Sequence, residues 1–195
     1  MYKQKIVIKV GTNVMTNKDN RIVRPVLREL VRQISELYER DIMTILVSSG
    51  SVIAGKEVLG ESNIENRTQK RQVYSAIGQP RMMRLYYNIF HDFGMKCAQV
   101  LPTKRDFSPG IHRQNMINCC EGLLSEGVIP IANEDDAVSV TMSMFSDNDE
   151  LASLIAQLLN VDKLIILTDI DGVYTGHPEE ASSDLITNVN PNEDL

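Results

Sequence analysis

The sequence predicts an α/β fold with a mainly parallel central sheet flanked by helices. Short apolar runs, most of them rich in β-branched residues, recur at 5–10, 43–47, 97–101, 128–132 and 163–167. Segments long enough for helices separate these runs, as the connection between two parallel strands requires. Glycine or polar residues follow several of the runs, which is typical of the ends of buried parallel strands.

The predicted helices lie between these strands and have recognisable starts and stops. They cover residues 24–38, 52–59, 68–90, 114–126 and 148–159. Pro25 is tolerated in a first turn, Asp147 is suited to cap the last helix, and Gly127 is suited to end the fourth. Gly78 and Pro80 predict a break or kink in the third helix.

Two further segments complete the predicted fold. Alternating Val and Met residues over 138–145 predict an exposed strand or hairpin. Asp171 and Gly172 predict a turn after the last strand, and no closing strand or helix is expected beyond it. The sequence shows no internal repeat or linker, so we expect one domain.

Composition and charge argue against several classes of function. Of the 195 residues, 43% are hydrophobic and 24% are charged, and the formal net charge is −6. The acidic balance disfavours binding to nucleic acid, and no apolar run reaches the roughly 20 residues that span a membrane. The three cysteines form no CxxC pair and the three histidines are dispersed, so we predict a cytoplasmic protein without its own metal site.

Ligands of open α/β sheets bind beyond the carboxyl ends of the strands. That rule selects residues 9–12, 48–51, 133–136, 146–149 and 168–172. Lys9 interrupts an apolar strand, and it is either a lysine that faces phosphate, with Gly11 admitting the ligand, or a lysine on an edge strand.

The serine and aspartate residues of the other segments also have two interpretations. The run at 48–51 either cradles an anion or caps a helix, and it lacks the spacing of a Walker A loop. Asp147 and Asp149 suit the start of a helix, whereas Asp136 has no such local role and is the better candidate for ligand contact.

Taken in order, these segments resemble the amino acid kinase family, and within it the glutamate 5-kinases. The matching stretches are IKVGT at 8–12, VSSGSVIAG at 47–55, AIGQ at 76–79, PIANEDDAV at 130–138, DNDELA at 147–152 and LTD at 167–169. The resemblance implies a three-layer sandwich and transfer of the ATP γ-phosphoryl group to the γ-carboxylate of glutamate, the first step of proline biosynthesis.

The resemblance also implies the catalytic and nucleotide-binding residues. Lys9 is similar to the lysine that contacts the transferred phosphoryl group, and Asp149 to the aspartate that orients catalytic lysines. Gly11, Thr168 and Asp169, together with Lys9, are similar to parts of an ATP site, with Mg²⁺ arriving on the nucleotide. A carboxylate nucleophile is already ionised at neutral pH, so alignment and electrostatics suffice for catalysis.

The glutamate-binding residues implied by the resemblance are Ser49, Asp136 and Asn148. Asp136 suits the α-ammonium group, and Ser49 and Asn148 suit the carboxylates. Homo-oligomerisation and feedback inhibition by proline are implied in the same way. Two alternatives stay open: a kinase of another small acid, and an amino-acid-binding module without catalysis.

One family feature is missing from the sequence. The family pattern continues to a Gly-Thr-Gly-Gly loop that brings a second catalytic lysine, and no such stretch occurs in these 195 residues. Neither does the RNA-modification-type PUA domain that some relatives carry. We therefore expect a kinase domain, 1–195, that is incomplete at its C-terminal end, and greatly reduced or absent activity of this chain alone.

Overall fold

A five-stranded parallel sheet forms the centre of the molecule. The computed structural model describes residues 2–134, 137, 147–180 and 182–189. The strands are β1 (Gln4–Val10), β2 (Ile42–Ser48), β3 (Lys96–Val100), β4 (Val128–Ala132) and β5 (Lys163–Leu167). They are arranged in the order β3-β4-β2-β1-β5, and all neighbours are parallel. The predicted parallel sheet is therefore confirmed.

Helices cover both faces of the sheet. They are α1 (Thr12–Met15), α2 (Arg24–Glu39), α3 (Ser51–Leu59), α4 (Arg67–Asp92), α5 (Ile111–Ser125) and α6 (Asn148–Leu158). One core lies between the sheet and α1–α4, and the other lies between the sheet and α5 and α6. The predicted sandwich of helices, sheet and helices is thus present, and apolar burial on both faces stabilises it.

Alternation along β1 determines which side chains reach each core. Ile6, Ile8 and Val10 are buried in the core formed with α2 and α4, whereas Val7 is buried in the core formed with α5 and α6. Because successive strand residues point to opposite faces, Lys9 lies on the same face as Val7, beneath α6. β1 pairs with β2 on one side and β5 on the other, so the interpretation of Lys9 as an edge-strand lysine is wrong.

Of the break or kink predicted in the third helix, the break does not occur. α4 runs from Arg67 to Asp92 with Pro80 inside it. Pro80 has no N–H for the carbonyl of Ala76, but both residues lie on the exposed side of the helix. Water can satisfy that carbonyl, so the helix continues through the proline.

Near the C-terminal end, the structure adds an element that the sequence pattern did not predict. β6 (Val173–Tyr174) and β7 (Leu185–Ile186) form a small antiparallel ribbon after the turn at Gly172. The predicted strand at 138–145 lies outside the described residues. Among the described helices, none is long and apolar enough to cross a bilayer.

Candidate functional site

Four parallel strands bring the polar segments together at the carboxyl ends of the strands. β4, β2, β1 and β5 are neighbours in that order, so the segments that follow them lie side by side. Gly11 N donates to Leu167 O (3.3 Å), and Ser49 N donates to Val10 O (3.2 Å). These bonds join the ends of adjacent strands and hold the segments in place.

Lys9 of β1 forms an ion pair with Asp149 of α6 at these strand ends. Its Nζ lies 2.7 Å from Asp149 Oδ1, and the exposed fractions of the two side chains are 11% and 44%. Burying an ammonium group without a partner is costly, and the Asp149 carboxylate provides that partner inside the sheet. A Cβ atom at Gly11 would lie 3.3 Å from this Nζ, and glycine therefore leaves space beside the ammonium group.

Asp147 orients α6 so that Asp149 can meet Lys9. Its Oδ1 accepts hydrogen bonds from the backbone N–H groups of Asp149 and Glu150, both at 2.9 Å. The predicted N-cap is thereby confirmed. Asp149 in the first turn also complements the positive end of the helix dipole, and its carboxylate points toward β1.

Ser49 and Asn148 meet in a network of buried and partly buried amides and hydroxyls. Asn148 Nδ2 donates to Ser49 Oγ at 2.7 Å and to Asn133 Oδ1 at 3.1 Å. Asn133, only 3% exposed, in turn donates to Gln79 Oε1 at 2.9 Å and to Ser51 Oγ at 3.3 Å. The network links the residues directly after β2 and β4 to α3, α4 and α6, and so fixes the positions of Ser49 and Asn148.

The helix cap proposed for the serine run is not formed by a serine. The N-cap of α3 is Gly50, which has φ of 102° and makes no side-chain capping bond. Ser49 and Ser51 use their hydroxyls in the network instead. A backbone angle in this range favours glycine, which explains why the run contains one at this position.

A buried tyrosine of α4 forms a hydrogen bond with the first residue of the serine run. Tyr86 OH lies 2.7 Å from Ser48 Oγ, and Ser48 Oγ donates to Ser49 O at 3.0 Å. Burial raises the pKa of Tyr86, so its hydroxyl stays protonated and can donate to Ser48. The sequence analysis missed Tyr86 because its role depends on a contact between α4 and β2.

Two adjoining cavities open onto these residues. The first, of about 260 Å³, is lined by all four residues predicted to bind ATP: Lys9, Gly11, Thr168 and Asp169. Asn13, which the sequence analysis did not single out, also lines it and donates from Nδ2 to Asp169 Oδ2 at 3.0 Å.

The second cavity, of about 390 Å³, is lined by Ser49, Asn148 and Asn133, together with Arg71 and Glu134. Ser49 and Asn148 line both cavities and therefore stand where the two meet. Asp136, the third residue predicted to bind glutamate, lies outside the described residues.

The sequence predicted only part of the site. Asn133 and Gln79 belong to the stretches that carry the family resemblance, but no role was assigned to them. Two signals could have indicated them. Asn133 is a polar residue directly after an apolar run, and Gln79 is a polar residue next to a glycine in a predicted helix. Within the described part of the chain, no group of three or more His, Cys, Asp or Glu side chains could hold a metal ion.

Comparison with known proteins relates this site to a family of kinases. The amino acid kinase family model matches residues 4–195. The glutamate 5-kinase of Bacteroides thetaiotaomicron is 40% identical over 191 residues, which cover 98% of this chain and 53% of that protein. That of Chlorobaculum tepidum is 42% identical over 176 residues, covering 90% and 49%. The chain thus spans about half the length of these curated relatives.

A solved structure shows the same fold at lower sequence identity. An isopentenyl phosphate kinase aligns with a TM-score of 0.62 and 20% identity, covering 93% of this chain and 80% of that one. At this identity the likeness concerns the fold alone.

Proposed function

The chain belongs to the amino acid kinase family, and from this premise we propose that it serves transfer of the ATP γ-phosphoryl group to the γ-carboxylate of glutamate. The observation that carries the proposal is the pair of cavities that meet at Ser49 and Asn148. One cavity contains Lys9 and the other contains neutral donors suited to a carboxylate. Glutamate 5-kinases at about 40% identity support the choice of substrate.

In the proposed reaction, the protein aligns two ligands and stabilises charge. The glutamate γ-carboxylate enters the junction of the cavities, where the Ser49 hydroxyl and the Asn148 amide can hold it. Its oxygen attacks the γ-phosphorus of ATP, and the bond between that phosphorus and the bridging oxygen of ADP breaks. No base is needed, because the nucleophile is already ionised.

Lys9 and Asp149 have different roles in the phosphoryl transfer. The Lys9 ammonium group faces the cavity assigned to ATP and offsets negative charge that develops on the transferred phosphoryl group. Asp149 holds that ammonium group in position through the 2.7 Å ion pair. Mg²⁺ supplies further charge neutralisation when it binds with the nucleotide, since it prefers phosphate oxygens and few protein ligands.

Glutamate-dependent ATP turnover tests this function. Because the Gly-Thr-Gly-Gly stretch is absent from these 195 residues, we expect slow turnover at most, and it should depend on glutamate rather than on aspartate, carbamate or UMP. Turnover that depends on one of those other compounds would favour the alternative of another small-acid kinase. Calorimetry with glutamate and Mg-ATP tests the second alternative. Binding of glutamate without any binding of nucleotide would indicate an amino-acid-binding module.

Several implied properties remain predictions of the same proposal. Feedback inhibition by proline and assembly into homo-oligomers are proposed from the family resemblance, and a cytoplasmic location is proposed from the cysteine usage. Cys97, Cys119 and Cys120 are all free thiols, which suits a reducing compartment. Inhibition assays with proline and sedimentation measurements can test the first two properties.

A further inference from the structure

One face of α4 presents a polar stripe toward the second cavity. Arg71, Ser75 and Gln79 follow one another at intervals of four residues and therefore lie on the same side of the helix. Ser75 Oγ donates to Ser51 Oγ at 3.2 Å, and Gln79 Oε1 accepts from Asn133 at 2.9 Å. These bonds place the polar face of α4 against the network that holds Asn148.

Arg71 stands at the end of this stripe and lines the cavity. Close contact between α3 and α4 fixes the position of the helix, because a Cβ atom at Gly78 would lie 1.7 Å from Ser51 O. The helix therefore cannot rotate Arg71 away without disturbing the network. The arginine side chain is exposed, so a ligand in the cavity can reach it.

Charge in the cavity is asymmetric. Among the described residues that line it, Arg71 alone is positive, whereas Glu134 and Asp147 are acidic. Asp147 is engaged as the N-cap of α6, and Glu134 is only 5% exposed. The wall shared with the first cavity offers the neutral side chains of Ser49 and Asn148 beside Asp147, whose Oδ1 already accepts from two backbone N–H groups of α6. A ligand with one carboxylate held by Ser49 and Asn148 would direct its remaining charged groups toward Arg71 and Glu134.

We propose that Arg71 binds the carboxylate of the substrate that is not phosphorylated and thereby selects a dicarboxylic amino acid. The inference rests on the proposed function and adds a residue that determines specificity. A guanidinium group can donate two parallel hydrogen bonds to a carboxylate, a geometry that lysine cannot reproduce. The acidic Glu134 in the same cavity complements the ammonium group of such a ligand.

Calorimetric titration with glutamate tests this assignment on the wild-type chain and on the variants Arg71→Gln, Arg71→Lys and Arg84→Gln. Hydrogen bonds to charged groups contribute about 1.5–3 kcal/mol, so Arg71→Gln should raise the Kd for glutamate about 10- to 100-fold. Arg71→Lys should recover part of that loss. Arg84 is an exposed arginine of the same helix that lines neither cavity, and Arg84→Gln should bind as the wild type does.

A ligand without the second carboxylate distinguishes the proposed contact from a general effect. 4-Aminobutyrate keeps the ammonium group and the reacting carboxylate, and Arg71→Gln should bind it no more weakly than the wild type does. Equal weakening of both ligands, or unchanged glutamate binding by Arg71→Gln, would overturn the role of Arg71. A wild-type chain that binds no glutamate would instead overturn the proposed function, and with it this inference.

Discussion

Lys9 is the residue whose position is hardest to explain without a function. It occupies an internal strand, its side chain is 11% exposed, and its ammonium group contacts Asp149. An apolar residue at this position would extend the core without any cost of desolvation. Lys9 is therefore retained at the expense of stability, which is typical of residues that act on a ligand.

The variant Lys9→Met removes the ammonium group while keeping an unbranched side chain. We expect the slow glutamate-dependent ATP turnover of the unsubstituted chain to fall by a further factor of about 10² to 10³, the usual effect of deleting one group that stabilises developing charge. The Kd for glutamate should stay nearly constant. Lys5→Met is the control on the same strand, because Lys5 instead pairs with Glu121. Turnover retained by Lys9→Met would contradict the catalytic role.

The contact between Tyr86 and Ser48 should be measurable as a coupling energy. Tyr86→Phe and Ser48→Ala should each lower the free energy of unfolding by about 1 kcal/mol. Their effects should not add, because both remove the same 2.7 Å contact. Urea unfolding of the single and double variants measures this.

Tyr74 supplies the matched control for that cycle. It lies on the same helix, is also buried, and donates its hydroxyl to Gly60 O at 3.0 Å. Tyr74→Phe should therefore combine additively with Ser48→Ala. Additive effects of Tyr86→Phe and Ser48→Ala would show that the hydrogen bond between Tyr86 and Ser48 contributes nothing to stability.

The cysteines should differ in reactivity because burial affects their ionisation. Burial raises the pKa of Cys97 to about 11 and, as the largest cause, that of Cys120 to about 12, whereas Cys119 is exposed. The thiolate is the reactive form, so at pH 8 iodoacetamide should modify Cys119 first. Raising the pH toward 11 should accelerate labelling of Cys97, as mass spectrometry of peptides can show. Equal labelling of Cys119 and Cys120 in the folded chain at pH 8 would refute this.

At the scale of elements, the contact between α3 and α4 determines the shape of the second cavity. A Cβ atom at Gly55 would lie 1.9 Å from Tyr74 O, and one at Gly78 would lie 1.7 Å from Ser51 O. The two helices can approach this closely only because both positions lack a side chain. Ser51 and Gln79, which contact Asn133, are carried by these same helices.

Gly78→Ala should therefore separate the helices and damage the site. We expect the free energy of unfolding to fall by at least 1–3 kcal/mol, the usual cost of overpacking, and glutamate binding to weaken. Gly122→Ala in α5 is the matched control, since nothing lies within 4 Å of its Cβ position. That change should stabilise the chain by about 0.5–1 kcal/mol. Urea unfolding compares the two, and a tolerated Gly78→Ala would refute the close contact.

At the scale of the whole molecule, the site joins the two halves of the sandwich. α3 and α4 pack in one core and α6 packs in the other. The network around Asn133 and Asn148 connects these helices at the carboxyl ends of the strands. A ligand in the second cavity would contact both halves. Binding should for that reason stabilise the molecule as one unit.

Thermal unfolding can detect this stabilisation. Glutamate at 100 times its Kd should add about 2.7 kcal/mol, and each kcal/mol raises the Tm by about 2–4 °C in a chain of this size. Asn148→Ala removes the amide shared by the two cavities and should abolish most of the shift. An undiminished shift in that variant would place glutamate elsewhere on the protein.

The order of elements was readable from local patterns. Apolar runs predicted the five strands of the parallel sheet, and Asp147 was recognised as an N-cap. Both signals depend on residues that are close in the chain. The ribbon of β6 and β7 was missed because each strand has two residues, too few for alternation to show. The helix is not broken at Pro80, because its exposed side tolerates an unpaired carbonyl.

The sequence by itself determined the five strands of the parallel sheet, the helices α2–α6, and which polar residues follow the strands. Only the tertiary structure decided that β1 is internal, that Lys9 meets Asp149, and that Gln79 reaches Asn133. The strand pairings and these contacts join residues 32 to 157 positions apart, from Lys96 with Val128 to Ile6 with Lys163, and many pairings are compatible with the same local pattern. Packing of the two cores selects one of them, and that selection places Arg71 beside the cavity proposed for glutamate.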